Sequence, residues 1–352
     1  MGYTKTTFDH TADGTEVYRY TLTNEQGVSA SFTNFGAIWL TMSVPDKNGQ
    51  FDDVILGYDS VDSIQTQPGH PGEPVGRNAN RNGGAKFTLN GVTYELAKNS
   101  AEVNNLHSGP DYYRDRIWDA EVEETALGTT ITFGLHSPDG DQGYPGNADI
   151  TVSYTLTPDN CLKLDYHMVS DADTIANFTN HVYFNLGGYK SGSALDQKVW
   201  IDADYFTATD VNSIPTGELV AVKGTPMDFT EMKPIGRDIQ EDYQALKYGN
   251  GYDHNWALNH PAGELSLSAK AEDEKTGRTM EVYTDLPGVQ FYTANFLKTE
   301  HGKNHAVYTP RCGYCFETQY FPDAINKPEF ASPVIKAGEE YKTTTIYKFG
   351  VK

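Results

Sequence analysis

Glu317 stands in Cys315-Phe316-Glu317-Thr318-Gln319, an aromatic, cysteine-containing stretch with strand character. A carboxylate there is costly to bury unless it is paired or used, and an ion pair with an arginine is the plain alternative to chemistry. Asn180-His181-Val182-Tyr183-Phe184-Asn185-Leu186 is a second such stretch. Read at period two, Phe178, Val182, Phe184 and Leu186 form an apolar face. Thr179, His181, Tyr183 and Asn185 form the other. That second face combines an imidazole, a phenol and an amide without a Lys or Glu. It suits the floor of a cleft where a neutral, hydroxyl-rich ligand is held and a proton moved, although a buried strand with a simply hydrogen-bonded histidine has the same pattern.

Further candidates are spread along the chain. Gly251-Tyr252-Asp253-His254-Asn255-Trp256 begins as a turn and becomes a strand, with Asp253 near its mouth. Pro287 to Thr293 puts Gln290 and Tyr292 on one strand face. Residues 67–84, rich in Pro, Gly and Asn, form a long irregular segment of the kind that often binds ligands. His70 lies in it as a residue that solvent would cover, and Arg77 either braces the loop or points into the cleft. A second irregular stretch, 102–109, carries His107.

The elements that must position these groups read as strands. Short runs such as Val17 to Leu22, Thr129 to His136, Ala148 to Leu156, Glu264 to Ala271 and Thr279 to Thr284 alternate with Gly, Asn, Asp and Pro turns. Lys86 to Leu96 is a hairpin turned by Asn90-Gly91. A short helical turn fits residues 59–65, and a modest helix fits Asp238 to Leu246, with Ile239, Tyr243 and Leu246 on one stripe. No composition shift, linker or repeat divides the chain. The expectation is an all-β, large antiparallel sandwich with few short helices, forming one domain over residues 1–352.

The formal net charge of −21, from 48 acidic against 27 basic residues, argues against nucleic acid or an anionic membrane as partner. Three cysteines in 352 residues make no disulfide framework and fit a reducing compartment. The first 15 residues lack an apolar signal-like core, and no apolar run is long enough to span a bilayer. A cytoplasmic protein is expected.

Six stretches together resemble the motif set of the aldose 1-epimerases, also called galactose mutarotases. They are Gly76-Arg77-Asn78-Ala79-Asn80-Arg81, Asn104-x-Leu106-His107-x-Gly109, Thr179-Asn180-His181-x-Tyr183-Phe184-Asn185-Leu186, Gly251-x-Asp253-His254-Asn255, Pro287-Gly288-x-Gln290-x-Tyr292 and Glu317-Thr318-Gln319. They occur in the family's order and span nearly the whole chain. The resemblance implies the family's galactose mutarotase-like supersandwich and an open sugar cleft. It also implies an isomerase without cofactor or metal, acting as a monomer or homodimer on the anomers of free aldoses such as D-galactose and D-glucose. By position, Glu317 matches the general base for the C1 hydroxyl, His181 the general acid for the ring oxygen, and His107 a second cleft histidine. Asn80, Arg81, Tyr183, Asp253 and Gln290, with His107, match the sugar-binding side. Ser108 stands where the family usually has Gly, and Asn82 where it usually has an apolar residue, which bears on substrate preference.

The residue types suit that chemistry. Opening a cyclic hemiacetal needs one proton taken from O1 and one delivered to O5. Unperturbed pKa values of about 4.3 for Glu and 6.5 for His leave the base ionised and the acid partly charged near neutrality. Two other readings stay open: a catalytically inactive carbohydrate-binding protein of this fold, and a glycoside hydrolase using Glu317 and Asp253 as its carboxylate pair. His301-x₃-His305 followed by Cys312-x₂-Cys315 has a zinc-like composition. Gly302 and Asn304 disfavour a ligand-bearing helix there, and no metal is expected. Trp39, Trp118, Trp200 and Trp256 could stack on sugars but more often fill cores.

Overall fold

The computed structural model describes residues 2–352. Strands dominate it, and its two α-helices among the described residues, Val61–Thr66 and Gln244–Gly249, have six residues each. The all-β expectation holds. Gly2–His10, Glu16–Thr23, Ser29–Thr33, Trp39–Pro45 and Phe51–Asp53 pair in chain order as a five-stranded meander. Asp119–Thr125, Gly128–Ser137, Ala148–Leu156 and Cys161–Ser170 form one flank of a nine-stranded sheet. Glu340–Val351 joins that flank to Arg278–Thr284, Ser266–Glu272, Lys198–Ile201 and Lys233–Pro234. A second five-stranded sheet runs in the order Pro215–Ala221, Tyr205–Thr209, Asp253–Ala257, Gly288–Tyr292, Cys315–Gln319.

The core follows from strict alternation. Cys161–Ser170 buries Leu162, Leu164, Tyr166 and Met168 on one face. The nine-stranded sheet backs both five-stranded sheets. Phe32 stacks on Tyr154 at 4.5 Å on one side, and on the other Tyr347 donates to Phe316 O at 3.1 Å while Thr318 and Thr345 share a 2.6 Å hydroxyl contact. Face-to-face burial of this kind is what holds a sandwich together.

Two local readings change, two strands are added and one open alternative is decided. The segment around His181 is a strand only at Thr179–Asn180, which pairs with Pro74–Val75; Phe184 then makes single bridges to Ile55 and Tyr314. Both of its faces are buried, so Asn185 does not share a cleft floor with His181. Instead Asn185 Nδ2 donates to Cys312 O at 2.8 Å and Gly192 O at 3.0 Å. The helix expected from Asp238 starts only at Gln244, because Asp238 is held in the preceding turn by Lys233 and Arg237, each at 2.7 Å. Gly2–His10 and Glu340–Val351 are strands that the sequence reading does not propose. The first is largely exposed and lacks an apolar face. The second alternates through Tyr341, Thr343, Thr345, Tyr347 and Phe349, where threonines dilute the hydrophobic signal. Arg77 is a brace: it is fully buried and donates to Pro145 O at 2.8 Å, Ser137 O at 3.0 Å and Pro138 O at 3.2 Å.

Candidate active site

Three adjacent strands at one side of the second five-stranded sheet, Asp253–Ala257, Gly288–Tyr292 and Cys315–Gln319, set the site's floor through their register. Asn255 lies opposite Gln290 and Gln290 opposite Glu317, while the next row is Asp253, Tyr292 and Cys315. Paired residues in antiparallel strands share a face, so these six side chains form one polar grid. The reverse face carries His254, Trp256, Val289, Phe291, Phe316 and Thr318. Gly288 belongs to the polar face, where a Cβ would stand 2.5 Å from Asn255 Oδ1. The amides brace one another: Gln319 Nε2 donates to Asn255 Oδ1 at 3.1 Å and to Gln290 Oε1 at 3.3 Å. Gln290 Nε2 donates to Asp253 Oδ1 at 2.7 Å, and Arg81 reaches Asp253 Oδ2 at 3.2 Å.

Loops add the remaining walls. His181 N donates to Glu73 O at 2.9 Å and His181 O accepts from Gly72 N at 3.1 Å, which fastens the histidine to the 67–84 segment. His107 N donates to Asn80 O at 2.9 Å, and Asn80 N donates back to His107 Nδ1 at 3.1 Å. Asn80 (φ 64°), His107 (φ 54°) and Ser108 (φ 57°) all occupy the left-handed region, a conformation that concentrates at functional sites. Ser108 holds its position by bonding Asn78 N and O, each at 3.0 Å, and Tyr144 Oη at 3.1 Å.

The walls enclose a cavity of about 150 Å³ lined by Asn80, Arg81, His107, His181, Tyr183, Asp253 and Glu317, together with Gly69, His70, Leu106, Tyr292 and Phe296. That is small beside the roughly 300–1,000 Å³ of drug-sized ligand sites and suits one small molecule. A larger groove of about 820 Å³, between Tyr205 and Arg237, involves none of the expected site residues. Seven of the eight expected residues border the small cavity. The eighth, Gln290, reaches it through Asp253. Neither Ser108 nor Asn82 lines it, and neither does any tryptophan. The residues that sequence reasoning missed are His70, Tyr292 and Phe296. The irregular 67–84 segment was the signal for the first, and the alternation of Gln290 and Tyr292 for the second.

His181 Nε2 lies 3.7 Å from Glu317 Oε1, and its Nδ1 is 3.5 Å from Cys315 Sγ. Tyr183 covers the imidazole at 4.9 Å. One nitrogen each from His107 and His181 and a Glu317 oxygen fall within 4.8 Å of one another. The Glu317 Oε2 is buried without a protein hydrogen-bond partner. Burial, reinforced by the Asp253 charge, pushes the Glu317 carboxyl well above its ordinary pKa. Burial and the charge of His70 push His181 down to about 3. The ordinary values expected from sequence for this pair are therefore overturned: desolvation favours the neutral acid and the neutral imidazole. Burial also works to raise Asp253, but Arg81 and Gln290 outweigh it and hold the group below the ordinary carboxylate value.

His107 is driven well below 6.5 by burial and by its two neighbouring histidines. Its Nδ1 accepts a backbone N–H, so the neutral ring carries its hydrogen on Nε2 and offers a donor to the cavity. A metal-ligating histidine normally donates from its second nitrogen. His107 has the opposite polarity, which disfavours the His107–His181–Glu317 trio as a cation site.

The family model of the aldose 1-epimerases matches residues 18–348. A galactose mutarotase of Bos taurus is 39% identical over 337 residues, 95% of this chain and 94% of its own. An aldose 1-epimerase of Haemophilus influenzae is 37% identical, covering 98% of this chain and 99% of its own. Among solved structures, a galactose 1-epimerase from Lactobacillus acidophilus superposes with a TM-score of 0.86 at 25% identity, covering 99% of both chains.

Proposed function

The chain belongs to the aldose 1-epimerase family and is a mutarotase, and we propose that Glu317 and His181 exchange its two protons. The observation that carries this reading is the convergence of Glu317, His181 and His107 within 4.8 Å inside a small cavity. With the proton on His181, the Glu317 carboxylate takes the C1 hydroxyl proton as the imidazolium protonates the ring oxygen. The C1–O5 bond opens to the aldehyde. Afterwards Glu317 is protonated and His181 neutral, the state that burial favours, so the desolvated site draws the reaction toward ring opening. Rotation about C1–C2 and return of the protons close the other anomer. His107 contributes a neutral donor, and Asp253 and Arg81 hold peripheral hydroxyls.

Asp253 is engaged by Arg81 and Gln290, which makes it a poor second carboxylate for glycoside hydrolysis. Free, buried cysteines suit a cytoplasmic location, and no helix among the described residues is long and apolar enough to cross a membrane. A core cluster running from Tyr20 to Phe349 supports one domain.

Polarimetry on freshly dissolved α-D-galactose and α-D-glucose tests the function. Faster approach to an unchanged final rotation is expected, with a methyl glycoside left untouched. No acceleration with any free aldose by folded protein overturns the reading.

The pH profile tests the proton assignment. The pair must carry one proton in total, and its pKa values belong to the pair as a unit. Activity is expected to stay flat through neutrality, to fall in acid only as His181 gains a second proton for the pair near about 3, and to fall in alkali only above the raised value of Glu317. A bell with limbs near the ordinary ~4.3 and ~6.5 contradicts it.

Gln290→Ala is expected to raise KM several-fold with kcat largely kept, because Asp253 loses its 2.7 Å donor. A collapsed kcat at unchanged KM would remove Gln290 from the binding side.

A further inference from the structure

The 67–84 segment carries a third histidine into the cavity, and a buried carboxylate holds it there. His70 Nδ1 lies 2.6 Å from Glu73 Oε1, and Glu73 is 2% exposed. Arg114 completes the arrangement. Its Nη1 donates to Gly69 O at 2.8 Å and lies 3.4 Å from Glu73 Oε2. The His70 ring sits 5.1 Å from Tyr112, 5.2 Å from His107 and 5.4 Å from His181, so aromatic edges confine it on three sides.

These contacts fix the ring chemically as well as sterically. With Nδ1 committed to a carboxylate, that nitrogen carries a hydrogen and Nε2 is left as the ring's free polar atom. No protein group among the described residues hydrogen-bonds to Nε2. His70 lines the same cavity as Glu317 and His181. Burying an acid, a guanidinium and an imidazole together is a weak source of stability, since desolvation offsets most of the attraction. The same outlay is understandable where an imidazole must be aimed at a ligand.

We propose that His70, oriented by Glu73 and Arg114, is a specificity-determining residue that hydrogen-bonds a hydroxyl of the bound aldose other than the one at C1. A sugar hydroxyl both donates and accepts, so it pairs with Nε2 whether or not that nitrogen carries a proton. Glu317 and His181 account for the C1 hydroxyl and the ring oxygen, and Asp253 and Arg81 share the peripheral hydroxyls with His70. Glu73 and Arg114 are positioning residues that act through it. The inference rests on the mutarotase reading of this cavity.

The test compares wild type with His70→Ala and His70→Gln on whichever of D-galactose and D-glucose is turned over, together with its 2-, 3-, 4- and 6-deoxy derivatives. For His70→Ala, KM is expected to rise on the order of tenfold with kcat within about threefold. One deoxy sugar should be poor for wild type yet match its parent sugar in the variant, which identifies the hydroxyl. Unchanged KM throughout overturns the proposal, and so does a collapse of kcat at saturation, which would place His70 in proton transfer instead. Wild-type protein that accelerates no mutarotation speaks against the underlying reading rather than against His70. If both variants fail to fold, histidine ring-nitrogen NMR on wild type decides. The His70 Nε2 resonance must move when the sugar saturates the site, and a stationary resonance overturns the assignment.

Discussion

Glu317→Gln is expected to lower kcat by roughly 10²–10⁴-fold, the range typical of a positioned proton-transfer group. The substitution keeps the shape of the side chain and removes only its ability to take a proton. Stability should hold or rise, because Glu317 is 2% exposed with an unpartnered Oε2, and a buried ionisable group without a full set of partners costs free energy. His181→Asn should give a loss of similar size, since it withdraws the partner that protonates the ring oxygen. Stopped-flow polarimetry for turnover and thermal melting for the fold check both variants. Turnover near wild type in either would strike that residue from the proton pathway, whereas lost activity with a lowered melting temperature would point to a structural role.

The largest stability effect is expected at Arg77, outside the cavity. Arg77→Leu keeps most of the buried volume but takes a donor from Ser137 O, Pro138 O and Pro145 O, of which the exposed Pro138 O keeps the Asp141 N–H at 3.0 Å. Each orphaned buried acceptor costs about 1–3 kcal/mol, partly offset by no longer burying the guanidinium. The net loss should be about 3 kcal/mol, a fall in Tm on the order of 5 °C, with midpoints read from urea and thermal unfolding. Arg77 also fixes the backbone that leads to Asn80 and Arg81, so KM should rise as well. A change below about 0.5 kcal/mol would mean that the loop is braced elsewhere.

What was legible in the sequence is what strand geometry makes local. Asp253 with Asn255, Gln290 with Tyr292, and Glu317 with Gln319 are i, i+2 pairs, and a period of two assigns each pair to one face without knowledge of the fold. That the three pairs meet as a grid depends on register between strands far apart in sequence, which periodicity cannot supply. The ordered motifs of a known family supplied it instead. His70 shows the other limit. In a Pro/Gly loop it reads as solvated, and only the fold brings in Arg114, distant in sequence, to hold Gly69 O and Glu73 beside it. The acid–base balance of Glu317 and His181 was also hidden, because desolvation belongs to the assembled cavity. Glu340–Val351 was obscured for a different reason: its inward positions alternate threonine with tyrosine and phenylalanine, so its buried face looks half polar.

That strand has a consequence for biosynthesis. Glu340–Val351 lies between Cys161–Ser170 and Arg278–Thr284 and, among the described residues, is the sole link between the two flanks of the nine-stranded sheet. At about 5–20 residues per second, a ribosome needs roughly 10–35 s to advance from residue 170 to residue 351. Through that interval Cys161–Ser170 is a ten-residue edge whose backbone groups on one side lack their final partner. An open edge of that kind pairs readily with other nascent chains. Slower synthesis or higher temperature is therefore expected to send more of the chain into aggregates before any sugar cleft exists.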